Sequence, residues 1–523
     1  PILILALFLR AYKINSLPSL NPDEAAIAYN TYSLIKTGKD EHGHNWPIHF
    51  QSFSDYKPGG YFYLAIPFIK TFGLRPSAVR LPNLIFSTLA IYFLYKLVFL
   101  LSQKQKLALT SALLLSISPW HIHFSRGAWE SSVALSSILI ATYYFYLSFK
   151  QKQSKNLVLF VIFMSLSIYT YHSSRLIAPL LSIYLFYSQR LQLLKNYKKL
   201  VIPSILTIIL AIPVAFSFLT NGGQTRLNGI GLTADQGPLW RANELLNHHF
   251  NQSHQTKIIN RLMHNRRILY FLSWTEKYLS HFDLNFLFLE GDQVPRSKSP
   301  NMGQFYRIEA VFLLIGIYQL FHQPSSKLKK LILALAILAP LASSLTFQAP
   351  SALRSLALVI PLIILITIGL NSFKNKKIYY LIIPIYIYSF FHFLSAYFIH
   401  APQRYPFAWN QGFNQIIPYI ESQKNKYTNI YMTDKYDQPY ILYLFYSHYP
   451  PAQIQKQIKL TIADKFGFST VRQIDNIHFQ TIDWPKIPIN SLVITSHESA
   501  PISPIKTFYF SNHHPAFQVY IKQ

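Results

Sequence analysis

Asp23 and Glu24 are adjacent carboxylic acids that follow Asn21 and Pro22 and open a run closed by Gly38. Two readings of the pair stand. Asn21 as N-cap, Pro22 in the first turn and Glu24 three residues beyond the cap spell a capping box, in which both acids complement a helix dipole. Alternatively, paired acids beside a lipid-facing surface serve chemistry, and one carboxylate suffices to take the proton of an attacking hydroxyl. Lys57, between Tyr56 and Pro58, offers a point charge to a lipid phosphate or anchors the chain at an interface. Arg126, Arg175 and Arg354 stand at the expected outer ends of apolar runs, where such a phosphate would lie, and join Lys57 as a candidate phosphate-binding set. Each is also readable as an interface anchor or ion-pair partner. Arg126 and Glu130, four apart, pair with one another in that second reading. His172 and Arg175 lie between short apolar segments, where polar groups are costly unless used. Arg296 is a candidate lid residue, and Asp55 and Glu130 are further acids expected on the same side. His121 and His123, beside Trp120, read as an interfacial belt before a metal pair. Asn251, Gln252 and Ser253 form a glycosylation triplet that carries no weight alone.

These residues need elements to hold them, and the composition says in what solvent. Of 523 residues, 51% are hydrophobic and only 13% charged, about half the charged share of a soluble domain. The net charge of +28 would suggest nucleic acid, yet Lys and Arg fall in short clusters between long apolar runs, so no nucleic-acid partner is expected. Apolar runs at 79–102, 107–124, 131–149, 156–171, 176–187, 200–219, 304–321, 331–347, 352–370 and 378–398 are span candidates. Residues 1–9 read as the tail of a further span that begins outside this sequence, which gives about eleven. Alternate loops carry Lys104 and Lys106; Lys150, Lys152 and Lys155; Arg190, Lys195, Lys198 and Lys199; Lys327, Lys329 and Lys330; and Lys374, Lys376 and Lys377, with no acid among them. By the positive-inside rule those loops are cytoplasmic, and all 20 acids fall on the other side. The outer side then holds a loop at 10–60, a long loop at 220–303 and the tail. That tail contains short β-favouring runs at 429–433, 491–495, 507–510 and 517–521 and a helix at 414–424. The expectation is a multi-pass α-helical membrane domain over 1–398 with a small external soluble α/β domain over 399–523. No Cys is present, so disulfides and thiolate chemistry are excluded.

The string NPDEAAIAY after a first membrane helix, DYKPGGYFYL, AVRLPN opening the next span, HFSRGAWES at 123–131, YTYHSSR at 169–175 and GDQVPR at 291–296 occur in order. This set resembles glycosyltransferase family 39, which includes polyprenyl-phosphate-mannose protein mannosyltransferases and the bacterial aminoarabinose transferase of lipid A. The resemblance implies a GT-C-type membrane glycosyltransferase whose external loops gather over a lipid-binding cavity. It implies a polyprenyl-phosphate sugar as donor, a protein, lipid or glycan as acceptor, Asp23 as base, and Glu24 holding the acceptor or a divalent metal ion. No other cofactor is implied. Gly59 stands where relatives commonly have a second proline, so a looser local backbone is expected. The loop at 220–303 is too short for the β-trefoil domain of eukaryotic protein mannosyltransferases, so the donor class carries over better than the acceptor.

Displacement of a phosphate from a sugar needs a base and cations but no general acid, because phosphate is already a good leaving group. A single displacement inverts the anomeric centre, whereas retention usually requires a second, nucleophilic carboxylate, which Asp55 or Glu130 could supply. A lipid-linked oligosaccharide polymerase or ligase would use similar external arginines. A transporter or flippase would instead carry charge at mid-depth in its spans, and these spans carry almost none.

Overall fold

The computed structural model describes residues 1–195, 197–219, 231, 235–247, 258, 263, 265–464 and 467–523. Part of the expected outer loop at 220–303, with the triplet Asn251 to Ser253, lies outside the described residues. The chain opens with α1 (Ile2–Ala11), α2 (Pro22–Thr37), the strands β1 (His49–Ser52) and β2 (Asp55–Pro58), and α3 (Gly60–Phe72). There follow α4 (Pro76–Ser102), α5 (Gln105–Ile117), α6 (Pro119–Ser125), α7 (Glu130–Gln151), α8 (Ser154–Thr170) and α9 (Ser174–Ser188).

By length and apolar composition α4, α7, Tyr197–Ser217 and Ile378–Arg404 can each cross a membrane. The α7 window is 78% buried and that of Tyr197–Ser217 only 11%. A helix that leaves so much apolar surface uncovered needs lipid as its other face, whereas α7 is the central post, packed on α4 and α8. The expected span at 107–124 is corrected: α5 and α6 meet at 57°. Pro119 biases Ser118 to an extended conformation, and the Ser118 hydroxyl then caps a new helix by accepting from the His121 N–H. The candidate at 331–347 also divides, into Lys327–Leu338 and a short turn Leu341–Ser344 beyond Pro340. Helices α1, α8, Glu309–His322 and Leu356–Leu370 are apolar but shorter than a full span. Among the described residues four helices therefore suffice to cross, or five with the bent pair as one.

The tail forms a six-stranded mixed sheet in the order β4-β5-β3-β6-β8-β7, with β3 at Asn429–Met432, β4 at Gln473–Ile474, β5 at Ile477–Phe479, β6 at Ser491–Thr495, β7 at Lys506–Tyr509 and β8 at Pro515–Lys522. β3 pairs in parallel with both β5 and β6, and β6 is buried along its whole length, as parallel strands covered on both faces must be. Helices Phe413–Gln423 and Pro439–Tyr446 pack together, and the second lies on α2. Side chains of α2, α3 and the start of α4 share one apolar cluster with this sheet and its helices. The Tyr29 hydroxyl donates to the Tyr449 carbonyl at 2.8 Å across that junction. A second, larger cluster fills the helical part from α4 to the helix that begins at Ile378.

Candidate active site

The start of α2 is built as the local pattern dictates. The Asn21 side chain accepts from the Glu24 N–H at 3.0 Å, Glu24 reaches back to the Asn21 N–H, and Gly38 closes the helix in the left-handed region at φ 71°. The two acids part company here. Glu24 is 1% exposed and takes Arg80 in a two-pronged pair, Nε to Oε1 at 2.8 Å and Nη2 to Oε2 at 2.7 Å. Its Oε1 also accepts the Ala128 N–H at 2.7 Å. Asp23 points the other way and pairs with Lys57 Nζ at 2.5 Å.

Asp23 and Lys57 lie on the wall of a cavity of about 570 Å³. Of the residues expected at a site, Asp55, Glu130, His172, Arg296 and Arg354 line it as well. Lys57 is 7% exposed. Burial pulls its ammonium down, but Asp23, Glu130 and Asp55 outweigh that and hold it above the ordinary lysine value, so it stays charged. His172 donates from Nε2 to the Tyr56 carbonyl at 3.0 Å, which ties the lysine's strand to the end of α8. Arg354 is braced by the Gln348 carbonyl at 3.1 Å and the Thr346 hydroxyl at 3.2 Å. Gly59 does not loosen this region. Its φ is −75°, and a Cβ there would fall 2.8 Å from the Ile48 carbonyl, so the residue serves close packing.

Glu24, Arg126 and Arg175 are not brought to the cavity wall. Arg126, fully buried, donates from Nη1 to the carbonyls of Leu9 at 2.6 Å and Arg10 at 3.1 Å, and from Nη2 to those of Tyr12 at 2.5 Å and Leu17 at 3.1 Å. It thus gathers the α1–α2 connection, and its guanidinium is spent on these carbonyls rather than on Glu130 or the cavity wall. Arg175 donates to His49 Nε2 and so secures β1. His121 and His123 do not pair around a metal: His121 Nδ1 meets Arg10 Nη2 at 2.7 Å, and His123 Nε2 donates to the Arg296 carbonyl at 2.8 Å. Among the described residues no three His, Asp or Glu side chains converge as metal ligands.

Three residues in the quoted motifs went unassigned. Arg80, in the first turns of a span, is a buried cation whose place signals a partner. Asp292 lines the cavity and accepts the N–H groups of Val294 at 2.8 Å and Ala352 at 2.7 Å, joining the loop before Arg296 to the segment of Arg354. Burial raises its carboxyl above the usual range against the pull of those two bonds. Trp129 also lines the cavity, and its buried indole N–H meets no hydrogen-bond partner among the described residues.

Residues 56–216 match the model of the family described as dolichyl-phosphate-mannose-protein mannosyltransferase. The resemblance read from the motifs is borne out over that stretch. Among curated proteins none matches the chain by sequence. Among solved structures, ArnT from Cupriavidus metallidurans is similar in its apo state, with 11% identity and a TM-score of 0.46 over 99% of this chain and 97% of that one. The same protein bound to undecaprenyl phosphate gives 11% and 0.47 over the same shares. The oligosaccharyltransferase of Archaeoglobus fulgidus tethered with an acceptor peptide gives 13% and 0.49 over 86% of this chain and 62% of that one.

Two outcomes follow from this geometry. Arg80→Ala leaves the Glu24 charge buried without its cation and lowers unfolding free energy in detergent by about 3–5 kcal/mol. Arg80→Lys does not restore it, because an ammonium cannot bond both oxygens; wild-type stability in either variant would remove the pair as an anchor. His49 is lowered to about 4 by burial and by the adjacent Arg175. A histidine depressed in the fold binds fewer protons than the unfolded chain between its two pKa values, so its stabilising share is lost as pH falls from about 6.5 toward 4. The unfolding midpoint of His49→Gln should decline less across that window than that of wild type, and parallel curves would count against the assignment.

Proposed function

We propose that the chain is a membrane glycosyltransferase that moves a sugar from a polyprenyl-phosphate donor to an acceptor hydroxyl on the non-cytoplasmic face, with inversion. The observation that carries this reading is the Asp23–Lys57 pair at 2.5 Å on a cavity that Arg296 and Arg354 also line. One wall offers a base, and cations for a phosphate stand around the same space. The family description over residues 56–216 supports the donor class. On this reading the basic loops face the cytoplasm, about eleven segments enter or cross the bilayer, and residues 399–523 form an external unit above the site.

The acceptor oxygen attacks the anomeric carbon while Asp23 takes its proton. The bond from that carbon to the phosphate oxygen breaks, and its electron pair leaves with the phosphate. Lys57, Arg354 and Arg296 stabilise the charge that develops there. No acid is needed at the leaving oxygen. Lys57 serves both partners: an arriving phosphate competes for its ammonium and frees the Asp23 carboxylate for the acceptor. Trp129 offers an aromatic wall for the sugar. Glu24 acts at one remove, by holding the turn that carries Asp23.

In proteoliposomes, Asp23→Asn should lower transfer by about 10²–10⁴-fold while leaving donor-lipid binding intact; near-normal turnover would remove Asp23 as base. Lys57→Ala should raise the donor KM, and unchanged donor KM and kcat would reject its phosphate role. The anomeric configuration of the product, read by NMR coupling, tests inversion, and a retained centre would turn attention to Asp55 and Glu130.

A further inference from the structure

A second cavity of about 500 Å³ shares no lining residue with the one around Asp23. It opens where three parts of the chain meet: the connection after α1, the end of the Ile378–Arg404 helix, and the tail near Gly412 and Ser511. Its walls are braced from within. The Ser511 hydroxyl donates to the Pro402 carbonyl at 2.8 Å, the Gln411 amide to the same carbonyl at 2.9 Å, and the Asn512 amide to the Gln403 carbonyl at 3.0 Å. The Asn414 and Gln415 side chains are exposed on the wall; among the described residues no side-chain hydrogen bond engages them.

The chemistry of this wall is specific by what it mixes and what it omits. Carboxamides and hydroxyls stand on it with the aromatic residues Phe398 and Tyr509, while Phe510 is largely buried in the core, and among the described residues no Asp, Glu, Lys, Arg or His lines it. In a chain of net charge +28, a wall without a single cation is a poor receptor for phosphate or carboxylate, which call for charge-assisted bonds. Nor does so many amides suit an acyl chain, since each would lose its water without replacement. Carboxamides pair a donor with an acceptor, as neighbouring sugar hydroxyls do, and aromatic faces cover the apolar face of a pyranose.

We infer that this cavity binds an uncharged oligosaccharide, the glycan part of the acceptor. The inference rests on the transferase reading above for the word acceptor, but the binding itself does not. The position fits the assignment. A narrower pocket alongside shares Leu17, Ser19, Pro402 and Gln411 with this cavity and is walled by His123 and Lys298. His123 holds the Arg296 carbonyl at 2.8 Å, in the segment that walls the donor cavity. One stretch of chain therefore lies between an acidic and basic cavity and a neutral one.

The test uses the full chain in nanodiscs with mannotriose, maltotriose and chitotriose as probes, read by saturation-transfer NMR. At least one should bind, and the exposed double variant Asn414→Ala/Gln415→Ala should weaken it by about tenfold, the scale of two lost hydrogen bonds. Asp23→Asn should bind the same sugar as wild type. No binding by any probe, or equal binding by the double variant, overturns the inference while leaving the donor chemistry standing. Loss of sugar binding in Asp23→Asn would move the sugar to the other cavity and overturn it equally. Normal sugar binding without any lipid-linked transfer would instead bring down the transferase reading alone.

Discussion

The carboxylate of Glu24 is 1% exposed, and the way its charge is satisfied organises everything around it. A buried ion is tolerated only when its remaining lone pairs are met. Here Arg80 meets two of them, the Ala128 N–H a third, and the Asn21 backbone and amide complete the set at 3.4 and 3.3 Å. These donors come from α4, from the turn before α7 and from the cap of α2, so one carboxylate fixes three elements at a point. Asp23 is the next residue along the chain. Its place on the cavity wall is a consequence of that anchor, because the first turn of α2 has no freedom left once Glu24 is held. Arg126 works in the same manner one turn of chain earlier, closing four carbonyls of the α1–α2 connection.

What was legible in the sequence and what was not divides along the range of the interaction. The capping box of α2 is written within four residues, and it forms as written. Four strands of the tail, β3, β6, β7 and β8, follow their local β-favouring runs to within two residues, whereas β4 and β5 fall outside every such run. Arg126 is different: its four acceptors lie more than a hundred positions away, and nothing local to HFSRGAWES distinguishes a lipid-facing arginine from one that collects carbonyls. Arg80 was hidden in the opposite way, since an apolar run is read for its length and the one charge in its first turns counts as a tolerated exception. The break at Pro119 was missed for a related reason. Hydropathy is continuous across Ser118, and only the hydrogen-bond account, in which Ser118 caps a new helix, reveals the bend.

The acids and bases that do reach the cavity come from separate stretches of sequence, and the hairpin of β1 and β2 shows how they are made to converge. Its register places Lys57 opposite Phe50 and Asp55 opposite Ser52. His172 holds it from the turn after α8 and Arg175 from the start of α9. On the far side the Ser469 N–H of the tail donates to the Phe53 carbonyl at 3.0 Å, and Phe468 reaches the cavity. The tail is therefore part of the wall as well as a neighbour.

Desolvation alone draws a buried lysine toward its neutral form. Three carboxylates around Lys57 keep it charged, so the cavity wall carries a cation paired with a carboxylate. On the reading proposed above, the interaction that maintains that charge is also the one a phosphate would displace, because ammonium and carboxylate stand at 2.5 Å. The Asp23 side chain is 44% exposed, so water screens the pair and weakens it, and an incoming anion competes for the ammonium better than a neutral group because it replaces the charge it displaces. On that reading the two cavities would divide the labour: charge for the donor where carboxylates and cations are concentrated, and uncharged hydrogen bonds for a partner at the other.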